Sequence, residues 1–275
     1  MVHIWFMELT NKVIWLTGAS SGIGEALAYE LAKAKAKLIL SSRRGDELKR
    51  VADKLSADLG FPASDLLILP LDLADASNFE MKKAEALQKF GRIDILINNG
   101  GISQRSLAKD TPVEVDRKIF EVNFFGTLAL TKALLPDFRK QQSGLIVTIT
   151  SAVGKFGSPW RSGYSASKHA LHGFFDSLRA EIYEDNIKVL LVCPGFIQTN
   201  VSVNALTGTG DKLGTMDAAT AKGLTAEDCA RQIVSAIKND KEEIVVAGIK
   251  ERFAVFAKRF APGLFSSMIR RMAVR

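Results

Sequence analysis

Apolar residues along this chain fall into short unbroken runs separated by stretches with helical spacing. The runs 13–17, 37–41, 66–71, 93–98, 144–150, 187–193 and 243–246 show little alternation of polar and apolar positions. That is the pattern of strands covered on both faces. Between them, 24–35, 46–59, 76–90, 112–141, 163–185 and 226–239 carry apolar residues at helical intervals. The fourth helix opens on Thr111-Pro112-Val113-Glu114, which reads as a capping box with proline at the first helical position. Strand–helix alternation of this kind predicts an α/β fold: a doubly wound parallel sheet with right-handed crossovers. No repeat, linker or low-complexity stretch divides the chain, so residues 1–275 are expected to form a single domain. Its core would span 9–246, with a tail over 250–275. The least regular segment, 199–223, is rich in Gly, Thr, Ser and Asn. A loop of that length in a compact domain is usually functional.

Composition narrows the picture. Apolar residues make up 47% of the chain, enough for a sizeable core. Two cysteines, Cys193 and Cys229, suggest neither a disulfide framework nor a zinc site and point to a reducing, cytoplasmic setting. No apolar run approaches the roughly 18 to 20 residues that span a bilayer. The apolar start, Met1 to Met7, lacks a basic flank and the length of a signal peptide. The net charge is +7, but residues 250–275 hold seven bases and one acid. The basic character therefore belongs to a tail, and a nucleic-acid-binding face is not expected.

Candidate chemistry begins after the first strand. Gly18, Ser20, Ser21, Gly22, Ile23 and Gly24 form a glycine-rich turn that opens a helix. Such a turn brings backbone close to a pyrophosphate and presents free N–H groups at the positive helix end. The spacing is G-x-x-x-G-x-G. The second strand ends in Ser42, Arg43 and Arg44, with no acid to receive a ribose 2′-hydroxyl. Guanidinium groups there suit a 2′-phosphate, so the implied cofactor is NADP(H). Tyr164 and Lys168 stand at i and i+4, on one helix face. An ammonium beside a phenol favours the phenolate and brings its proton transfer toward neutral pH. Ser151 ends the fifth strand, at the sheet edge where such folds place ligands, and its hydroxyl suits a carbonyl oxygen.

Taken in order, the glycine turn, Asp72, Asn98-Asn99-Gly100-Gly101, Asn123, Ser151, Tyr164, Lys168 and Pro194-Gly195 with Thr199 resemble the short-chain dehydrogenase/reductase family over residues 9–246. Within it, residues 40–44, 98–106 and 167–170 are most similar to the dehydrogenase/reductase member 7 subgroup. The resemblance implies a Rossmann-type fold and an oxidoreductase that interconverts an alcohol and a ketone or aldehyde. It implies that Asp72 and Leu73 hold the adenine, and that Asn98 and Gly100 line the cofactor. Pro194, Gly195, Ile197 and Thr199 would border the nicotinamide. Tyr164 would exchange the substrate proton, Lys168 would hold the ribose, Ser151 would steady the substrate oxygen, and Asn123 would hold a water near Lys168. Gly100 stands where alanine is usual in the family. The family also implies that helices 112–141 and 163–185 pair across a two-fold axis, as a homodimer or homotetramer. Two other readings share these motifs: a 3-ketoacyl-carrier-protein-type reductase, and a non-catalytic NADP-binding sensor. The basic tail fits the first poorly, and an intact Ser151–Tyr164–Lys168 set argues against the second.

Substrate-lining candidates are Gln104, Ser151, Phe156, Trp160, Tyr164, Phe196, Ile197, Val201, Val203 and Leu206. Their apolar majority favours a small lipophilic carbonyl or alcohol. His3, His169 and His172 have no acidic or cysteine companions at metal-ligand spacing in the sequence, so no metal is expected. In the tail, Phe253, Phe256, Ala257 and Phe260 share one helical face flanked by Lys250, Lys258 and Arg259. A second stretch, 264–274, repeats the mix with Phe265, Met268, Ile269 and Met272 beside Arg270 and Arg271. Two expectations follow: a cover over the substrate pocket or a neighbouring subunit, or a peripheral contact with an anionic membrane.

Overall fold

The structure, a computed structural model, describes residues 7–271. All strand pairings are parallel, and the sheet runs β3-β2-β1-β4-β5-β6-β7. Its strands are β1 (Val13–Thr17), β2 (Lys37–Ser41), β3 (Leu66–Ile68), β4 (Ile95–Asn98), β5 (Gly144–Ile149), β6 (Ile187–Pro194) and β7 (Glu243–Val246). The order reverses between β1 and β4, which opens a crevice at the carboxyl ends of the strands. Every residue of β1 is buried, because helices cover both faces. Ile14 and Leu16 point into one core with α1 (Gly22–Lys33), α2 (Gly45–Leu59) and Ile233 and Ile237 from a later helix, residues 226–238. Val13 and Trp15 point into the other core, with α3 (Phe79–Phe90), the helical run 113–141 and the helix over 162–181.

That helical run has three parts: α4 (Val113–Phe120), a π-helical turn over Glu121–Phe125, and α5 (Gly126–Gln141). It is followed by α6 (Ser162–Glu181), α7 (Ala218–Ala221) and α8 (Ala226–Lys238). Among the described residues, Val113–Gln141 is one helix long and apolar enough to cross a membrane by length and composition, though no unbroken apolar run flagged it in the sequence. Here Leu130, Leu134 and Phe138 sink into the core.

The structure corrects several boundaries. Pro112 is the N-cap of α4, not its first helical residue, and the capping box does not form. The Thr111 hydroxyl instead bonds Ser106 Oγ and the Leu107 carbonyl, both at 2.8 Å, and ties down the preceding loop. Strand β3 stops before Pro70, which has no N–H to extend the ladder. In the tail, α9 (Ile249–Phe260) and α10 (Pro262–Ile269) fold back on the domain. The packed face of α9 carries Ala254 and Ala257, which meet Ala152, Val153, Phe156 and Phe265. The phenylalanine face expected to be covered turns outward: Phe253, Phe256 and Phe260 are 49%, 58% and 69% exposed. His3, Met272 and Val274 lie outside the described residues.

Candidate active site

At the end of β1 the chain turns through Gly18 (φ 64°) and Gly22 (φ 57°), in the left-handed region that glycine tolerates. A side chain at Gly24 would lie 2.1 Å from the Gly18 carbonyl oxygen, so this glycine is set by the closeness of turn and helix. Ser21 is the N-cap of α1, and no side chain caps the helix. Its first-turn donors therefore face outward beside Ser20, Ser21 and Ile23. Arg44 extends Nη2 to Ser20 Oγ (3.1 Å) and Ser21 Oγ (3.4 Å), while Arg43 is exposed and Ser42 Oγ accepts from the Arg44 backbone N–H. Arg50 was not singled out in the sequence. It grips the turn from behind, with a two-point pair to Glu25 (both 2.8 Å) and a bond to the Ser20 carbonyl. Uncapped amides, two hydroxyls and guanidinium groups, with no acid at the end of β2, form a donor set that fits a phosphorylated dinucleotide.

Asn98 and Asn99 divide their work. Asn98 is buried, and its amide donates to Thr131 Oγ1 (3.0 Å), binding sheet to helix. Its side chain thus faces the core, and Asn99 takes the place beside the turn. Asn99 Nδ2 donates to the carbonyls of Thr17 (3.0 Å) and Gly18 (3.2 Å). Asp72 accepts from the Ala74 N–H (3.0 Å). A methyl at Gly100 would lie 2.6 Å from Leu73 Cδ1, so Leu73 occupies the space that alanine would claim. Pro194 ends β6, Gly195 bonds Val246, Ile197 is a core residue, and Thr199 packs over Gly22.

Three side chains converge at the end of β5. Ser151 receives the Val153 N–H (3.3 Å) and donates to the Pro194 carbonyl (3.4 Å). Burial holds the Tyr164 phenol above its usual range, and the Ser151 hydroxyl and the charges of Arg161 and Arg105 oppose that rise without cancelling it. Lys168 lies 5.9 Å from the Tyr164 ring centroid and donates to the Ile149 carbonyl at 2.9 Å. Burial lowers its pKa to about 8. Asn123 sits in the π-helical turn, a feature frequent at functional sites. It clamps Ile102 through both of its amide atoms (2.8 and 2.9 Å) and donates to Ser167 Oγ (3.1 Å).

The substrate-side candidates separate. Phe156 packs on Phe265, with centroids 5.3 Å apart, and Phe196 lies under the Arg161 guanidinium at 5.2 Å. Trp160 holds a left-handed backbone, φ 67°, and Val201 is 40% exposed. Val203 is half-buried, and Leu206 is buried in a small cluster with Val115 and Ile119. Gln104 is fully buried: its Oε1 accepts the Tyr164 N–H (3.2 Å) and its Nε2 donates to Thr111. It positions α6 and offers no free amide to a substrate. Sequence reading missed Arg105 and Arg161, which meet Asp217 across the loop after β6.

Residues 12–210 match the family described as short chain dehydrogenase. The chain belongs to this family. It is 48% identical over 267 residues to the dehydrogenase/reductase SDR family protein 7-like of Anopheles gambiae, covering 97% of this chain and 84% of that one. Human dehydrogenase/reductase SDR family member 7 is 44% identical, covering 87% and 71%. A short chain dehydrogenase/reductase from Burkholderia phymatum in complex with NAD shares the fold (TM-score 0.81, 23% identity, 98% and 99% covered). An archaeal alcohol dehydrogenase from Thermococcus sibiricus, complexed with 5-hydroxy-NADP, superposes with TM-score 0.72 at 27% identity, covering 86% and 97%. The family assignment makes this short chain dehydrogenase an oxidoreductase with a nucleotide-binding Rossmann fold.

One histidine gains companions that sequence spacing did not reveal. His172, Cys193 and Glu243 bring one ligand-type atom each to within 4.8 Å of one another. His172 Nε2 is 3.1 Å from Thr150 Oγ1 and 3.7 Å from Cys193 Sγ. Lys155 holds Glu243 at 2.6 Å. Burial, then the charge of Lys155, lowers the His172 pKa from 6.5 to about 4. The unfolded chain therefore binds this proton more readily than the folded one. The contribution to stability is complete above pH 6.5 and is lost as pH falls toward 4, by on the order of 3 kcal/mol. Urea unfolding at pH 7.5 and 4.5 should show a smaller loss of stability for His172→Gln than for the parent. Equal losses in the two proteins would remove His172 from this role.

Proposed function

We propose that this short chain dehydrogenase is an NADP(H)-dependent enzyme that interconverts a small lipophilic alcohol and its ketone or aldehyde. The observation that carries the reading is the meeting of Ser151, Tyr164 and Lys168 at the carboxyl end of β5. NADP(H), when bound, supplies or accepts the hydride. Ser151 and Tyr164 present two hydroxyls to one substrate oxygen, and Tyr164 gives or takes its proton. The Lys168 ammonium favours the phenolate and would also hold the nicotinamide ribose. Asn123 holds Ile102, and with it the neighbouring Gly101 beside the Lys168 ammonium, where a water can join the proton path. Ser42, Arg43 and Arg44 would receive the 2′-phosphate, while Asp72 and Leu73 border the adenine. Gly100, Pro194, Gly195, Ile197 and Thr199 complete the cofactor bed. Phe156, Trp160, Phe196 and Val201 supply an apolar approach for the substrate, closed on one side by α9 and α10.

Two outward surfaces suggest how the enzyme is held. Val113 and Phe125 on the 113–141 run are 59% and 52% exposed, which suits a homodimer or homotetramer built on α4, α5 and α6. On α9, Ile249, Phe253, Phe256 and Phe260 form an exposed apolar arc with Arg252 and Arg259 along one flank. That arrangement suits a cytoplasmic enzyme resting peripherally on an anionic bilayer.

NADPH should be preferred over NADH at least about tenfold in kcat/KM, since a charged two-point contact contributes roughly 1.5 to 3 kcal/mol. The double change Ser42→Asp with Arg43→Ser should reverse the preference. Equal values for both cofactors in the parent would defeat this assignment. With a panel of lipophilic ketones, Tyr164→Phe should lose turnover but retain NADPH binding by fluorescence titration; Lys168→Met should lose both. Substantial ketone reduction by Tyr164→Phe would rule out the phenol as proton donor. Sedimentation of the full chain should show an oligomer, and anionic liposomes should carry it down; Phe256→Glu should weaken the second result only. A monomer, or binding indifferent to lipid charge, would count against the corresponding surface.

A further inference from the structure

Two guanidinium groups share one carboxylate near the start of α6, the helix that carries Tyr164. Arg105, on the loop after β4, pairs with Asp217 through Nε (3.1 and 2.9 Å) and through Nη2. Its Nη1 is held by Ser103 Oγ (2.9 Å) and the Gln104 carbonyl (2.6 Å). Asp217 also receives the Thr220 hydroxyl (3.2 Å). Arg161, the N-cap of α6 and three residues before Tyr164, reaches this carboxylate at 3.4 Å. All three residues are more than nine-tenths buried. Arg105 takes the close two-point position, so the triad keeps a net positive charge, and Arg161 is its loosely matched member. Burying a surplus charge is costly, and its field is poorly screened in the interior. Burial, followed by repulsion from Arg105, lowers the Arg161 pKa to about 10.

The surroundings of Tyr164 leave few other sources of field. From α6 comes Lys168, and from the turn after β5 the Ser151 hydroxyl. From the two loops come Arg105 and Asp217, and from α4 Asp116 approaches the adjacent Gly163. The tail packs Ala254, Ala257 and Phe265 into the cluster against which Tyr164 lies, and its Lys258 ammonium stands over the Phe265 ring at 5.7 Å. We propose that Arg161 is a positioning residue for Tyr164: the charge that Asp217 leaves unneutralised joins Lys168 in favouring the phenolate. The counter-charge arrives on the substrate-side loop, so that loop and the phenol share one electrostatic unit. This inference rests on Tyr164 as the proton-transferring group proposed above.

The test reads the phenol directly. The chain has three tyrosines, so ¹³Cζ-tyrosine labelling gives three resonances, with Tyr164 assigned through Tyr164→Phe. Arg161→Met should raise the Tyr164 titration midpoint by about one pH unit. Asp217→Asn, which removes the negative charge, should lower it, and Arg161→Lys should leave it near the parent value. The pH profile of alcohol oxidation should move in the same directions. Opposite shifts for the two charge changes, with rescue by lysine, support the proposal. Midpoints unmoved by Arg161→Met, or shifts of one sign in every variant including Arg161→Lys, as general loosening would give, overturn it. The titration needs no turnover: a phenol that responds as expected in a chain inert toward every alcohol and ketone would count against the proposed function alone.

Discussion

Lys168 is 5% exposed, and its ammonium is held by the Ile149 carbonyl at the end of β5. Keeping a cation in that place constrains everything around it. Ile149 is the last residue of β5; it pairs with Val192 of β6, while pairing with β4 ends one residue earlier, at Asn98 opposite Thr148. A side chain at Gly101 would lie 3.1 Å from Asn123 Oδ1 and 3.6 Å from the Lys168 ammonium, so a glycine keeps the approach open. Asn123 comes into range because the helix widens into a π turn at that point. Ser151 follows the end of β5 by two residues, and Tyr164 lies one helical turn before Lys168 on α6. The phenol is thus embedded among positive charges in a medium that screens them weakly.

The cofactor side depends on a different constraint, the closeness of β1, α1 and β4. Asn99 joins the turn after β1 to the end of β4, and Leu73 fills the space beside Gly100. Gly126 is equally confined: a side chain there would lie 1.9 Å from the Leu73 carbonyl oxygen, so α5 begins hard against the strand-end loop. The glycines of this region are explained by neighbouring backbone as much as by any ligand. Arg50, bound to Glu25 and Glu47, holds the turn from the rear, while Arg44 reaches the turn's Ser20 and Ser21 hydroxyls and Arg43 is exposed.

Electrostatic order on the substrate side is built from distant pieces. Asp217 lies 112 positions from Arg105 and 56 from Arg161. The loop that carries it is also pinned by backbone pairing of Leu206 with Ser103 and Arg105. The long irregular segment is therefore knitted to the loop after β4 by backbone pairing as well as by charge.

The alternation of buried runs and helical stretches was legible in the sequence, because strands covered on both faces cannot afford polar positions. So were the glycine turn and the Tyr164–Lys168 pair, since a helix puts i and i+4 on one side. Strand order, the Asn98–Asn99 division and the burial of Gln104 were not, because each depends on what packs opposite. The same holds for His172, Cys193 and Glu243, which meet only when β6, β7 and α6 are side by side. In α9, periodicity identified an aromatic face but could not say which way it would turn. The alanines went inward because small side chains let the helix lie close to the turn after β5, and the phenylalanines were left facing out. Local spacing thus determined which residues share a face; only tertiary packing decided which face is buried and which distant charges meet there.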